Sequence, residues 1–138
     1  MDKFVRNFIV MSIVYLCASS FMGVFMLIGP KFHSFKFAHS HFMVLGWVSM
    51  MIYGVGYHIL PRFSGRPLKS VKIGEVQFWL ANIGLIGMAV FYSPCQYVSS
   101  WQWFLGLAPV FGFIEFISIA LFFYNMLATL LAKVPGQP

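Results

Sequence analysis

Four histidines carry most of the chemistry that this sequence could perform, and all of them lie between residues 33 and 58. Two of them, His39 and His41, stand two positions apart in Ala38-His39-Ser40-His41. Imidazole is a favoured ligand of haem iron, copper and zinc. Successive residues of an α-helix are rotated by about 100°, so these two rings project about 200° apart. The pair cannot chelate one ion unless the helix unwinds, and each ring faces a different neighbour. The alternative to metal binding is that His39 and His41 are interfacial polar groups that hydrogen-bond to water.

The elements that position these histidines are membrane-spanning helices. Of the 138 residues, 60% are hydrophobic and 9% are charged, whereas soluble domains have about 25% charged residues. This composition excludes a soluble enzyme, a disordered chain and a disulfide scaffold. Four apolar runs have the roughly 20 residues that a helix needs to cross a bilayer. We therefore predict an all-α integral membrane four-helix bundle forming a single domain, 1–138, with spans at about 7–28, 38–60, 74–92 and 103–132.

Prolines suggest where these helices end or bend, because proline removes a backbone donor and clashes with the preceding turn. We predict that the second span stops at Pro61 and that the fourth ends before Pro135. Pro109 lies inside the fourth run, and we expect it to kink that helix. Cys17 lies within an apolar run, so we predict no disulfide with Cys95.

The basic residues indicate the orientation of the chain. Seven of the nine precede the first span, fill the loop between spans two and three, or follow the fourth span, and only Lys31 and Lys36 lie on the opposite side. Basic residues concentrate on the cytoplasmic side of membrane proteins. We therefore predict cytoplasmic N- and C-termini in a bacterial or archaeal inner membrane. Topology accounts for the positive charge, and no nucleic-acid partner is expected.

Two faces of the second span follow from the α-helical period. The His39 face includes Met43, Gly46, Tyr53 and Tyr57, whereas the His41 face includes residues 45, 48 and 52. Gly46 could admit a flat ring or a neighbouring backbone, and close helix packing is the favoured interpretation.

A longer motif extends beyond the histidine pair. Ala38-His39-Ser40-His41, followed by His58-Ile59-Leu60-Pro61 and Phe63-Ser64-Gly65, resembles the tenth helix of subunit I of haem–copper oxidases, and Phe78-Trp79-Leu80 with Ile83-Gly84 resembles the eleventh. The resemblance covers about residues 38–92. It implies that His39 matches the ligand of the high-spin haem beside copper and that His41 matches the ligand of the low-spin haem. The chain has no second H-x-H motif. A complete haem–copper centre in one chain is therefore not expected, and whether the protein is an enzyme stays open.

The resemblance also suggests how a small unit could hold a cofactor. The family subunit has twelve helices in a pseudo-threefold arrangement, which implies a homo-oligomer, a trimer in particular, of four-helix units. We predict that His39 of one protomer and His41 of the next hold one haem b, with Met43 and Gly46 beside it and Lys36 near its propionates. Such a protein would transfer electrons, with a respiratory redox partner, or bind a small gas such as NO or O2.

Two other functions remain open. His33, His39, His41 and Met43 could bind copper if residues 33–41 were unwound. A cofactor-free structural or assembly subunit of a respiratory complex is the second alternative. Two further polar residues have no assigned role: His58, near the inner surface, is typical of a snorkelling or capping group, and Glu115, inside span four, could relay protons or be a neutral, hydrogen-bonded acid.

Overall fold

The computed structural model describes residues 1–94 and 98–132, and every regular element in these ranges is helical. Four helical segments are long and apolar enough to cross a membrane. The predicted all-α four-helix architecture is therefore confirmed. Cys95, Pro135 and Lys133, the basic residue that follows the fourth span, lie outside the described residues. The first span is helix Lys3–Ile28. The second joins a 3-10 helix (Pro30–Phe35), an α-helix (Lys36–His41), a π-helix (Phe42–Ser49) and an α-helix (Met50–Phe63). The third span is helix Val71–Tyr92, and the fourth is a 3-10 helix (Ser99–Leu107) followed by an α-helix (Ala108–Leu130).

One proline prediction is wrong, since the second span continues two residues past Pro61 and ends at Phe63. Pro109 marks a change of helix type inside the fourth span, because the α-helix begins at Ala108 and the proline occupies its first turn. A first-turn residue has no intrahelical partner for its backbone N–H, so proline is tolerated there. The preceding residues, Ser99–Leu107, form the 3-10 helix instead.

The second span ends in a defined turn. Gly65 adopts a left-handed conformation with φ of 64°, which glycine takes without steric penalty. Its N–H donates to the Arg62 carbonyl at 3.2 Å, and the Arg66 N–H donates to the Pro61 carbonyl at 3.0 Å. This pattern is a Schellman motif. The chain then enters the third span at Ser70, whose side chain accepts a hydrogen bond from the Ile73 N–H.

The π-helix changes the faces of the second span. The Ser49 hydroxyl donates to the Val44 carbonyl five residues earlier, at 2.9 Å. Wider turns of this kind rotate the residues on either side relative to one another. His41 lines a groove against the third and fourth spans, whereas Val48 and Ile52 are exposed. The expectation that these three residues share one face is therefore wrong, although Gly46, Tyr53 and Tyr57 on the other predicted face are all buried.

An aromatic cluster forms the core near the loop that joins spans two and three. Phe8 is fully buried, and its ring meets Tyr53 and Phe78 edge-on at centroid distances of 5.7 and 5.1 Å. Phe4 meets Tyr57 in the same manner at 5.2 Å. Edge-to-face pairs of this kind add stability beyond the area that they bury. The first three spans are therefore joined at this end of the bundle.

Buried amides join the spans, as helix-bridging groups do in membrane proteins. Tyr15 donates to the Asn82 Oδ1 at 2.9 Å and so connects the first span to the third. Asn125 of the fourth span donates to the Ser70 carbonyl at 2.8 Å and accepts from the Ser70 N–H at 3.1 Å. Asn82 and Asn125 therefore join helices and loops across the bundle.

Candidate functional site

His39 is held against the first span through one edge of its ring. Its Nδ1 lies 2.9 Å from the carbonyl oxygen of Ser19 and 3.0 Å from the Ser19 hydroxyl, which in turn donates to the His39 carbonyl at 3.0 Å. A carbonyl can only accept, so in this contact Nδ1 carries the proton and Nε2 keeps a free lone pair. Gly23 lies beside the ring, where a Cβ would stand 3.2 Å from the His39 Cε1.

His41 has the same arrangement with a different partner. Its Nδ1 lies 2.9 Å from the carbonyl oxygen of Phe37, one turn earlier in the same helix. The rings of Phe37 and His41 also stack, with centroids 3.9 Å apart and an angle of 29° between their planes. Phe37 stacks in turn on Tyr92 of the third span at 4.0 Å. Both histidines therefore have Nδ1 on a backbone carbonyl, which leaves Nε2 to bind a metal.

The two imidazoles face opposite neighbours, as the helical period predicts. Residues Lys36–His41 form an α-helix, so the rings diverge. His39 contacts Ser19 of the first span, whereas His41 lies towards the third and fourth spans. The two rings of one chain therefore cannot be the two axial ligands of one iron.

Two grooves flank the stacked rings of Phe37 and Tyr92. The groove at His41 has a volume of about 340 Å³ and is mainly apolar, with Met88, Leu105, Ala108, Pro109 and Gly112 completing its lining. The other, of about 360 Å³, is lined by polar side chains that include His33, Lys36 and Ser40. An apolar surface beside a candidate ligand and a cation nearby suit a flat apolar cofactor with acidic substituents.

The other predicted site residues lie at varying distances from the histidines. Lys36 is exposed and lines the polar groove. Met43 is half-buried in the π-helix. Gly46 is buried, and a Cβ there would lie 2.6 Å from the Tyr15 ring and 3.1 Å from Leu85. Gly46 therefore occupies the packing role, and Tyr15 fills the space that a flat ring would need.

The copper alternative finds no ligand set in the described part of the chain. No group of three or more His, Cys, Asp and Glu side chains in residues 1–94 and 98–132 is placed to hold a metal ion. Residues 33–41 are helical and not unwound. His33 is exposed. His58 accepts a hydrogen bond at Nδ1 from Arg62 at 2.8 Å, in keeping with an interfacial role.

Three residues of the site were not identified from sequence: Ser19, Phe37 and Tyr92. Ser19 stands in an apolar run, and a serine at membrane depth is a signal of a buried hydrogen bond. Phe37 precedes His41 by one helical turn, a spacing at which side chains meet. The position of Tyr92 depends on how the third span packs, for which the sequence carries no local signal.

The arrangement defines a class: a helical integral membrane protein with two histidines at one end of its bundle, each with Nδ1 close to a backbone carbonyl. The comparisons connect this class with respiratory oxidases. The chain is 34% identical over 91 residues to cytochrome c oxidase subunit 1 of Rhodobacter capsulatus, which covers 62% of this chain and 17% of the relative. It is 32% identical over 88 residues to the cbb3-type cytochrome c oxidase subunit CcoN1 of Stutzerimonas stutzeri, covering 59% of the chain and 19% of that relative.

The resemblance to subunit I of the haem–copper oxidases is therefore confirmed, and it extends well beyond residues 38–92. A cytochrome c oxidase subunit 1 homolog of Agrobacterium tumefaciens (strain T37) aligns with 97% of the chain at 25% identity. This chain spans between 17% and 24% of the length of these three relatives. No protein-family model and no solved structure matches it significantly.

Proposed function

We propose that this protein binds haem b through His39 and His41 and transfers electrons in the membrane. The observation that carries the proposal is the shared state of the two imidazoles, each with Nδ1 at 2.9 Å from a backbone carbonyl. A carbonyl partner on the second nitrogen fixes the tautomer and orientation of metal-ligating histidines. Two histidines prepared in the same way would together hold a haem iron, which would supply electron transfer.

The divergence of the rings favours binding between chains. His39 contacts the first span and His41 lines the groove at the third and fourth. One iron held by both residue types therefore requires His39 of one protomer and His41 of another. A closed ring of identical chains gives every protomer the same interface. We propose a homo-oligomer, a trimer in the first instance, with one haem at each interface.

The remaining residues have defined tasks in this proposal. When bound, haem supplies a reversible one-electron couple. Met88, Leu105 and Ala108 provide apolar surface that excludes water beside His41. Lys36 lines the polar groove, where it would pair with propionates, and Met43 would supply apolar surface two residues after His41. The excess of basic residues on one side supports cytoplasmic termini in an inner membrane, where a respiratory partner would exchange electrons.

The test is an optical spectrum of the detergent-purified protein, oxidised and then reduced with dithionite, with and without carbon monoxide or nitric oxide. We expect a split low-spin haem b spectrum that gas does not alter. His39→Ala and His41→Ala should each remove it. His58→Ala is the matched control, because His58 lies at the other end of the second span and hydrogen-bonds to Arg62, and it should keep the spectrum.

Each other outcome has a distinct meaning. A gas-induced shift would indicate an open iron position and replace electron transfer with gas binding. A colourless protein, even after haem is supplied, would refute the haem proposal and leave a structural or assembly role in a respiratory complex. Metal analysis of the same sample would reveal copper.

A further inference from the structure

An open groove with two arginines lies beside the loop between spans two and three, which we call loop two. The groove has a volume of about 330 Å³. Its lining includes Arg62, from the last turn of the second span, and Arg66, from the turn that follows. Asp2, just before the first span, is the acid among the lining residues. Two guanidinium groups against one carboxylate leave this loop-two groove with an excess of positive charge, which attracts an anion.

Both arginines are held in place by neutral acceptors, so these hydrogen bonds leave their charges uncompensated. Arg62 donates to the Nδ1 of His58 at 2.8 Å and also to the His58 carbonyl, one turn earlier. Arg66 is half-buried and donates to the Leu130 carbonyl at the end of the fourth span. Its Nε is buried and has no hydrogen-bond partner in the described part of the chain. Since buried donors are ordinarily paired, this nitrogen indicates an acceptor from outside those residues.

The remaining lining of the loop-two groove is mostly apolar. It includes Tyr57, Pro61 and Leu68, and the Tyr57 hydroxyl already donates to Gln77 Oε1 at 2.6 Å. Guanidinium groups match the geometry of phosphate oxygens, to which they donate in pairs. Basic pockets between membrane helices bind the headgroups of anionic phospholipids. Two arginines next to apolar side chains therefore suit a ligand that joins a phosphate to an apolar body.

We infer that the loop-two groove binds a phosphate group through Arg62 and Arg66, and that an anionic phospholipid supplies it. The groove lies where the second span ends and the first begins, so it stands at the level at which a bundle meets the headgroup layer. The single negative charge of a phosphodiester balances the excess charge of the lining. Free inorganic phosphate shares this chemistry and is the other source.

Native mass spectrometry of the purified full chain in a neutral detergent tests this inference and does not require haem. The sample receives equal amounts of phosphatidylglycerol and phosphatidylcholine, and the ratio of the two singly bound adducts gives the preference for the anionic lipid. We expect the wild type to prefer phosphatidylglycerol by about tenfold or more. Arg62→Gln and Arg66→Gln should each lower this preference about fivefold, which is the effect of one basic residue beside an anionic lipid.

Lys69→Gln is the matched control for charge in the same loop. Lys69 is exposed and lies outside the lining of the groove, so its substitution should leave the preference unchanged. Isothermal titration with sodium phosphate alone separates the two sources. We expect no saturable binding of inorganic phosphate; binding in the wild type that Arg66→Gln removes would assign the same site to the free anion.

Three results would overturn the inference. They are equal binding of the two lipids together with no binding of inorganic phosphate, a preference for phosphatidylglycerol that both arginine variants keep, and a preference that falls as far in Lys69→Gln as in Arg62→Gln. If Arg66→Gln does not fold, the comparison of Arg62→Gln with Lys69→Gln still decides, because both side chains are exposed. Failure of the haem spectrum has no bearing on this result.

Discussion

Ser19→Ala isolates the support that the first span gives to His39. The Ser19 side chain is fully buried, and its hydroxyl lies 3.0 Å from both His39 Nδ1 and the His39 carbonyl oxygen. The substitution removes both contacts but keeps the Ser19 carbonyl, which lies 2.9 Å from Nδ1. The imidazole therefore loses one of two acceptors and keeps its tautomer.

The size of the effect follows from these contacts. A hydrogen bond contributes roughly 0.5–1.5 kcal/mol net, and interhelical bonds in membrane proteins average about 0.6 kcal/mol. For two contacts we expect the free energy of unfolding to fall by about 1 kcal/mol. Loss of the hydrogen-bond partner on the non-coordinating nitrogen of a metal-ligating histidine typically weakens metal binding about 10- to 100-fold. Since the carbonyl remains, we expect the lower end for haem, about tenfold.

Two assays measure the two effects separately. Unfolding of the haem-free protein by SDS in mixed micelles, followed by circular dichroism, gives the stability. Titration with haem, followed by absorbance, gives the affinity. Ser20→Ala is the matched control, because Ser20 is exposed and its hydroxyl donates only to the Leu16 carbonyl of its own helix at 2.8 Å. Ser20→Ala should match the wild type in both assays. If Ser19→Ala also matches the wild type, the assigned role of its hydroxyl is wrong.

Two further predictions concern helix contact and assembly. A Cβ at Gly84 would lie 2.8 Å from the backbone nitrogen of Glu115, so Gly84→Ala should destabilise the bundle by about 1–3 kcal/mol. Gly56→Ala is the control, because the nearest atom to a Cβ there would be 3.7 Å away, and it should not destabilise the bundle. Equal SDS unfolding of the two variants would contradict this prediction. Co-expression of equal amounts of His39→Ala and His41→Ala chains should restore haem to about a quarter of all interfaces, averaged over randomly assembled rings. Binding of both ligands within one chain would restore none.

Much of the architecture could be predicted from the sequence because burial in a bilayer constrains it so strongly. The four apolar runs predicted the four spans, since a helix in lipid must satisfy all its backbone groups internally. The prolines predicted less, because the effect of a proline on a helix depends on its position. Pro109 lies in a first turn, where its missing N–H removes no hydrogen bond, and Pro61 is accommodated in the last turns of its helix.

The site was predictable only as far as local geometry determines it. The divergence of His39 and His41 follows from their spacing in one helix, and the structure has that helix at Lys36–His41. The partners of the rings depend on tertiary packing, so Ser19 and Tyr92 could not be identified. The π-helix at Phe42–Ser49 has no clear local signal either.

The division of the bundle into two ends bears on how the histidine variants can be interpreted. The aromatic core around Phe8 and Tyr57 lies towards the loop that joins spans two and three, whereas His39 and His41 stand at the opposite end of the second span. Neither histidine belongs to the buried apolar core. Removing an imidazole therefore leaves in place the aromatic contacts that join the spans at the loop-two end of the bundle. A variant that loses haem but unfolds like the wild type would show that the ligands, and not the fold, were removed.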